Sequence, residues 1–268
     1  AFQVGAATIT TGAGVSNTLS TRLIAGQTMT LDLGTITNSN TDTDAGDDVI
    51  TIEYDVLVED IPANIAGTTL GNDVTISYDN ANGGARLSVT DAANDITVVE
   101  PTMTITKGIS TSTNLAAAAT ISPLPAITPV DGNMTTSDAG DEVTFVITLE
   151  NTSTTANAYD VRVTDAPSPG TSLASYSITS VTQGDGSTAV PFTGDFNTGD
   201  FELTNAVASN TGAVGDPHIV LITYTAEIGT VVQPAEVIDN IATTLWHPTP
   251  TSTTDFTDTD NATITIAE

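Results

Sequence analysis

The stretch Val143-Thr-Phe-Val-Ile-Thr-Leu149 places an apolar residue at every second position. Successive side chains of a β-strand point to opposite faces, so this period of two predicts a strand with one buried face. Tyr159-Asp-Val-Arg-Val-Thr164 shows the same alternation, and the residues from Ile219 to Ile228 form a third long β-prone run. Thr, Val and Ile dominate between clusters of Gly, Asn, Asp and Pro, which predicts strands joined by turns.

The pattern predicts eight strands in the second part of the chain. Their number and spacing predict an all-β chain of tandem immunoglobulin-like β-sandwiches. The run 116–119 is the one that favours helix, but Asn114 precedes it and Pro123 follows it, so a loop or a single turn is expected there. The strands are expected near 102–109, 143–150, 159–165, 175–182, 200–207, 218–228, 236–246 and 260–266.

The chain nearly repeats itself at an offset of about 168 residues. Leu70-Gly-Asn-Asp-Val-Thr-Ile-Ser-Tyr78 returns as Ile238-Asp-Asn-Ile-Ala-Thr-Thr-Leu-Trp246. Residues 101–268 are therefore predicted to form one complete unit. Residues 1–100 match only the back part of that unit, from about Ser175 onward, and are predicted to form an incomplete sandwich.

An incomplete sandwich exposes apolar surface and bare strand edges. Two explanations remain open. The chain is either a fragment of an array that continues upstream, or a subunit of an extracellular filament in which a neighbouring copy donates the missing strands. In either case, residues 1–100 alone are expected to aggregate or to stay partly unfolded.

The charge of the chain restricts its surroundings and partners. Against 33 acidic residues there are 4 basic ones, a net charge of −29. Such a chain is repelled by nucleic acid and by anionic membranes, and its carboxylates are best tolerated where salt or divalent cations neutralise them. There is no Cys and no apolar run long enough to span a bilayer. These features predict an extracellular or cell-surface protein that neither binds nucleic acid nor inserts into the membrane.

Four blocks of the second unit stand out, and they begin with Pro101-Thr-Met-Thr-Ile-Thr-Lys107, Asp138-Ala-Gly-Asp141, Ala158-Tyr-Asp-Val161 and Asp239-Asn240. In this order they resemble the conserved-repeat domains of giant bacterial and archaeal surface proteins, which are similar to isopeptide-forming fimbrial domains. The resemblance implies an extracellular, non-enzymatic sandwich strung in series, with a Lys–Asn crosslink in some members made beside an acidic residue. The chain departs from that pattern in a long loop at 123–134 and in the Ala-Pro-Ser-Pro that follows Asp165.

The residues themselves allow such a crosslink between Lys107 and Asn240. Lys107 is the only lysine, and it shares its strand face with Ile105 and Ile109. A neutral amine and a nearby protonated carboxyl are required, and burial favours the former by lowering the lysine pKa. Asp165 is the first choice for the acid and Glu150 the second. Asn72, the counterpart of Asn240, is an acceptor that no lysine precedes.

Two other interpretations of these residues remain open. Lys107 can form a buried salt bridge with Asp165 without any crosslink, while Asn240 bonds the backbone at a strand end. It can also be an ordinary exposed lysine.

Acidic turns are the candidate metal sites. Several carboxylates stand in tight, Gly-containing turns, a ligand type that suits Ca²⁺. Calcium in at least one turn is therefore predicted, against the alternative that the turns only keep the protein soluble. The candidate ligands are Asp42, Asp44, Asp47 and Asp48 in one loop, Asp131, Asp138, Asp141 and Glu142 in a second, and Asp255, Asp258 and Asp260 near the end.

Catalysis on an external substrate is not expected. His218 and His247 are the only histidines, and neither a G-x-S-x-G nor an H-E-x-x-H pattern is present. Trp246 is expected in the core or at its rim rather than on a glycan-binding platform. The sequence thus predicts a structural stalk or adhesin segment, with neighbouring repeats or identical subunits as partners. Nothing in it identifies a glycan or protein receptor.

Overall fold

The computed structural model describes residues 1–19, 21–39, 41, 46–79, 85–113, 132–167 and 173–267. The chain divides into two compact units, Ala1–Val98 and Val99–Glu268. The described residues form strands and no helix, which confirms the predicted all-β class. Accordingly, none of the described segments is a helix long and apolar enough to cross a membrane. The run 116–119, for which a loop or turn was predicted, lies outside the described residues.

The described part of the first unit contains ten strands, which pair two by two as β1 with β6, β2 with β5, β3 with β4, β7 with β10 and β8 with β9. Their bounds are β1 (Phe2–Thr11), β2 (Val15–Asn17), β3 (Thr21–Ala25), β4 (Thr28–Asp32), β5 (Ile36–Asn38), β6 (Ile50–Val58), β7 (Thr69–Leu70), β8 (Asp73–Tyr78), β9 (Leu87–Ala92) and β10 (Ile96–Thr97).

The described part of the second unit also contains ten strands, and eight of them match the predicted positions. The other two, β12 and β16, are too short to show a periodic pattern, and they exist because a longer neighbour supplies a pairing edge. The bounds are β11 (Met103–Ser112), β12 (Met134–Ser137), β13 (Glu142–Asn151), β14 (Tyr159–Pro167), β15 (Leu173–Gln183), β16 (Phe192–Thr193), β17 (Phe201–Leu203), β18 (Ile219–Ile228), β19 (Val237–His247) and β20 (Phe256–Ile266).

Two sheets of the second unit form a β-sandwich. One sheet has the order β11-β13-β18-β15, and the other has the order β12-β20-β19-β14-β17-β16. The residues with period two in β13 are fully buried between them: Val143, Phe145, Ile147 and Leu149. Trp246 on β19 is buried as well and stacks on Phe256, with ring centroids 5.9 Å apart. The hydrophobic core therefore joins the inner faces of both sheets.

Strand pairing in the two units follows one plan. On β1 and β6, Phe2 pairs with Val58 and Ala7 with Tyr54, with a bulge between them. On β15 and β18, Leu173 pairs with Ile228 and Ile178 with Tyr224, again with a bulge between them. Each unit thus contains a long antiparallel strand pair with a bulge.

The hairpin β8–β9 likewise corresponds to β19–β20. In β8–β9, Thr75 pairs with Thr90 and their hydroxyls lie 2.8 Å apart. In β19–β20, Thr243 pairs with Thr259 and their hydroxyls lie 3.4 Å apart. The same cross-strand threonine pair marks the same register in both units.

The corresponding faces of these two hairpins differ in exposure. On β8–β9, the apolar side chains of Val74, Ile76 and Val89 are 52%, 58% and 59% exposed. On β19, Ala242 and Thr244 occupy the places of Val74 and Ile76 and are fully buried. The face that packs into the core of the second unit is thus open to solvent in the described part of the first.

Candidate functional site

Four strands of the second unit bring polar side chains together in its core. Lys107 lies on β11, Asp165 on β14, Tyr224 on β18 and Asn240 on β19. β11 and β18 belong to one sheet, and β14 and β19 belong to the other. Each residue occupies an inward position of its strand, so the four side chains meet between the sheets. We call Lys107, Asp165, Tyr224 and Asn240 the buried tetrad.

A continuous chain of hydrogen bonds joins the buried tetrad. Lys107 Nζ donates to Asp165 Oδ2 at 2.7 Å. The hydroxyl of Tyr224 donates to the same oxygen at 2.5 Å. Asn240 Nδ2 donates to the hydroxyl of Tyr224 at 3.0 Å. The lysine amine is therefore connected to the asparagine amide through one carboxylate and one hydroxyl.

Aromatic rings enclose the lysine amine. Lys107 Nζ lies 5.2 Å from the ring centroid of Phe145 and 5.8 Å from that of Tyr224. These two rings stack with centroids 5.1 Å apart, and Phe196 meets Tyr224 edge-on at 5.0 Å. The rings exclude water from the tetrad and leave Asp165 as the charged group bonded to the amine.

Burial changes the proton affinities of the tetrad. Desolvation of the buried amine lowers the pKa of Lys107 from 10.5 to about 8, although Asp165 opposes this shift. Desolvation and the Asp165 carboxylate both raise the pKa of Tyr224 well above its usual value of 10.0. The lysine can therefore lose its proton near neutral pH, while the tyrosine keeps its own.

Two oxygens of the tetrad lack donors. Asp165 Oδ1 and Asn240 Oδ1 are buried, and neither accepts a hydrogen bond from the described residues. A buried acceptor without a donor costs about 1–3 kcal/mol.

The structure brings Lys107, Asp165 and Asn240 into one cluster, but it does not bring Glu150 there. Glu150 pairs with Thr104 and Ile219 and lies on the opposite face of β13 from Leu149. Sequence reasoning missed Tyr224. The available signal was its place on the apolar face of a long strand, because a buried tyrosine hydroxyl usually requires a partner.

The first unit contains a tyrosine–asparagine hydrogen bond like that of the buried tetrad. Asn72 Nδ2 donates to the hydroxyl of Tyr54 at 2.7 Å. Tyr54 pairs with Ala7 as Tyr224 pairs with Ile178, so the two tyrosines hold corresponding positions. A tyrosine–asparagine hydrogen bond therefore forms in the first unit without a lysine.

The acidic residues near the end of the chain bond the edge of β11. Asp258 Oδ2 accepts from the backbone N–H of Ile105 at 3.0 Å, and Asp260 Oδ2 accepts from that of Lys107 at 2.6 Å. β11 is the edge strand of its sheet, so these carboxylates satisfy amide groups that have no neighbouring strand. They hold β11, and with it Lys107, against β20.

The loop before β13 is partly described. Asp141 Oδ2 accepts from the backbone N–H of Asp138 at 2.8 Å, and Asp141 Oδ1 accepts from the hydroxyl of Thr113 at 3.0 Å. Glu142, the next residue, begins β13 and is exposed. Asp141 therefore organises this turn from within.

The predicted metal ligands are only partly placed by the structure. Asp42, Asp44 and Asp131 lie outside the described residues. Among the residues that the structure does describe, including Asp47 and Asp48, no group of three or more acidic or histidine side chains is arranged to hold a metal ion. Calcium binding stays a prediction.

His247 forms a second polar cluster at the end of β19. Its Nδ1 lies 3.1 Å from Asp160 Oδ2, and its Nε2 lies 2.8 Å from Asp255 Oδ1. Burial acts to lower the pKa of His247, but the hydrogen bonds with Asp255 and Asp160 outweigh it and raise the pKa above 6.5. Asp255, a predicted metal ligand, is thus bonded to a histidine.

Comparisons with known proteins find only low similarity. No family model matches the chain, and no curated protein matches it. The major pilin subunit BcpA of Bacillus cereus is similar at 11% identity and a TM-score of 0.36, over 72% of this chain and 48% of that one. The pilus backbone RrgB from Streptococcus pneumoniae is similar at 17% identity and a TM-score of 0.34, over 56% and 33%. The third cohesin of ScaC from Acetivibrio cellulolyticus is similar at 11% identity and a TM-score of 0.33, over 62% and 100%.

We predict that His247 makes stability pH-dependent. Because its folded pKa lies above the unfolded value of 6.5, its contribution is complete below about pH 6.5 and disappears as the pH rises through the folded pKa. The melting temperature should be measured from pH 5 to 9. As the pH rises from about 6.5 through the folded pKa, the melting temperature of the wild type should fall relative to that of His247→Gln. Parallel profiles for the two proteins would contradict the prediction.

Proposed function

We propose that this chain is a structural segment of an extracellular stalk or adhesin, and that a Lys107–Asn240 amide braces its second unit. The hydrogen-bond chain of the buried tetrad carries the proposal. It places the only lysine of the chain in the core, in contact with a carboxylate and linked to an amide.

Burial of the Lys107 charge is hard to explain by stability alone. Removing a charge pair from water costs several kcal/mol for each ion, and the attraction between the ions often fails to recover it. A crosslink removes this penalty, because the ammonium becomes part of a neutral amide. The bond from Lys107 Nζ to Asn240 Cγ forms, the bond from Cγ to Nδ2 breaks, and ammonia leaves.

The proposed amide would give the second unit mechanical resistance. β11 is its first strand and β19 is its last strand but one among the described residues. Because these strands lie in different sheets, a covalent bond between them would hold the sandwich closed under tension. Force applied along the chain would then bypass much of the fold between Lys107 and Asn240.

Composition supports a position outside the cell. A net charge of −29 suits a medium rich in salt and divalent cations. Neighbouring repeats or identical subunits are the proposed partners. The proposed role is non-enzymatic, since the one reaction that the tetrad supports is with itself.

The crosslink is tested by the intact mass of the purified chain. We expect a mass lower than the sequence requires by one ammonia molecule, and a branched peptide that joins Lys107 to Asn240 after proteolysis. Lys107→Ala and Asp165→Ala should each have the full mass of their own sequence. A wild type of unmodified mass contradicts the crosslink, and leaves the stalk to be stiffened by packing and ions.

Calcium is proposed as a second brace in the acidic loops. Removal of calcium by EDTA should lower the melting temperature by about 5–10 °C if the ion is present at about 100 times its dissociation constant. The control is a buffer in which KCl matches the ionic strength, because screening alone also stabilises an acidic protein. Asp131→Asn combined with Asp138→Asn should remove the response to EDTA, and an unchanged melt of the wild type would contradict calcium binding.

A second candidate function is that of a filament subunit assembled by strand donation between identical chains. The exposed apolar face of β8–β9 favours it, since the same face is buried in the second unit. The chain should then form oligomers in sedimentation experiments, and Ile76→Lys, in the centre of that face, should yield monomers. Leu23→Lys, an equally exposed position on β3, serves as the control. A monomeric wild type contradicts this candidate.

A further inference from the structure

We propose that Tyr224 is a catalytic residue of the crosslinking reaction, carrying a proton from Asp165 to the leaving nitrogen of Asn240. The inference rests on the proposed Lys107–Asn240 crosslink and adds to it the route of the proton. No feature of the sequence had assigned a role to this tyrosine.

The hydrogen bonds of Tyr224 match such a role. A tyrosine hydroxyl has a single proton, and here it is directed at Asp165 Oδ2 at 2.5 Å. The amide atom of Asn240 that faces the hydroxyl must therefore be a donor, and it is Nδ2, at 3.0 Å. This is the nitrogen that leaves as ammonia, so Tyr224 contacts a reacting atom.

The tetrad supplies every proton that the reaction moves. Lys107 first passes one proton to Asp165, across the 2.7 Å hydrogen bond, and becomes a neutral amine. The amine attacks Asn240 Cγ. Asp165 then gives this proton to Tyr224 Oη while Tyr224 gives its own to Nδ2, which leaves as ammonia.

The remaining proton completes the balance. The ammonium of Lys107 starts with three hydrogens and the product amide keeps one. The first of the two lost protons leaves on ammonia. The second passes from the new amide nitrogen to Asp165, which ends as a neutral carboxyl. Tyr224 regains the proton that it gave, and no external acid, base or oxidant is required.

Proton transfer is assigned to Tyr224 because its hydroxyl is the group hydrogen-bonded to the leaving nitrogen, at 3.0 Å. Amide nitrogen is expelled only after it is protonated, and water is excluded by Phe145 and Phe196. Burial keeps the pKa of Tyr224 high, so its proton remains available.

The first unit shows that the tyrosine–asparagine hydrogen bond does not depend on the lysine. The hydroxyl of Tyr54 accepts from Asn72 Nδ2 at 2.7 Å, in a unit whose described residues include no lysine. A tyrosine hydroxyl thus contacts the asparagine amide nitrogen in a unit that has no lysine. A tyrosine whose sole role was to solvate the lysine ammonium would not be expected to bond the asparagine amide in a unit without a lysine.

The test is the rate of ammonia loss, followed by intact mass at intervals after purification or refolding. Tyr224→Phe preserves the ring stacking on Phe145 but removes the hydroxyl, and it should crosslink about 100-fold more slowly than the wild type. The matched control is Tyr176→Phe. The ring of Tyr176 lies 6.0 Å from that of Tyr224, and its buried hydroxyl has no hydrogen-bond partner in the described chain. This variant should crosslink at the wild-type rate.

A comparison in the Lys107→Ala background separates catalysis from folding. Neither Lys107→Ala nor Lys107→Ala/Tyr224→Phe can crosslink, so similar melting temperatures would show that the phenylalanine is tolerated by the fold. A wild type that crosslinks no faster than Tyr224→Phe overturns the proton route alone. A wild type of unmodified mass overturns the crosslink, and the proton route with it.

Discussion

The burial of one ammonium group is the constraint on which the second unit depends. Lys107 has a side chain that is 0% exposed, and its partner Asp165 is equally inaccessible. A charge in this position forces its surroundings to supply a counter-charge, an aromatic enclosure and satisfied hydrogen bonds. β14 supplies the counter-charge and hydrogen-bond acceptor, and β13 and β18 supply the aromatic rings, so the charge couples the two sheets at a single point.

The edge of β11 is organised around the same point. Asp260 accepts from the backbone of Lys107, and Asp258 accepts from Ile105 two residues earlier. These aspartates stand where a further strand would otherwise pair with β11. They both close an open edge and fix the strand that carries the lysine, so part of the large acidic excess has a structural use.

The two units share some local features of strand pairing. Both contain a bulged strand pair and a hairpin in equivalent register, and both contain a tyrosine that bonds an asparagine amide. The second unit adds the lysine and the aspartate, together with β14 beside the hairpin in its own sheet and β11 and β13 in the sheet that packs on it. The difference in exposure between Ile76 and Thr244 follows directly, because the apolar face of a hairpin is buried only when another sheet packs on it.

Local pattern in the sequence was enough to predict eight of the strands in the second unit, the all-β class and the inward position of Lys107, because the period of two assigns each side chain to a face. It was also enough to select Asp165 and Asn240, since both lie on inward faces where a polar group needs a partner. Sequence could not show that Tyr224 joins Asp165 to Asn240, or that Asp258 and Asp260 bond the edge of β11. Those facts depend on which strands become neighbours across the sandwich, and only the tertiary packing of the two sheets decides that.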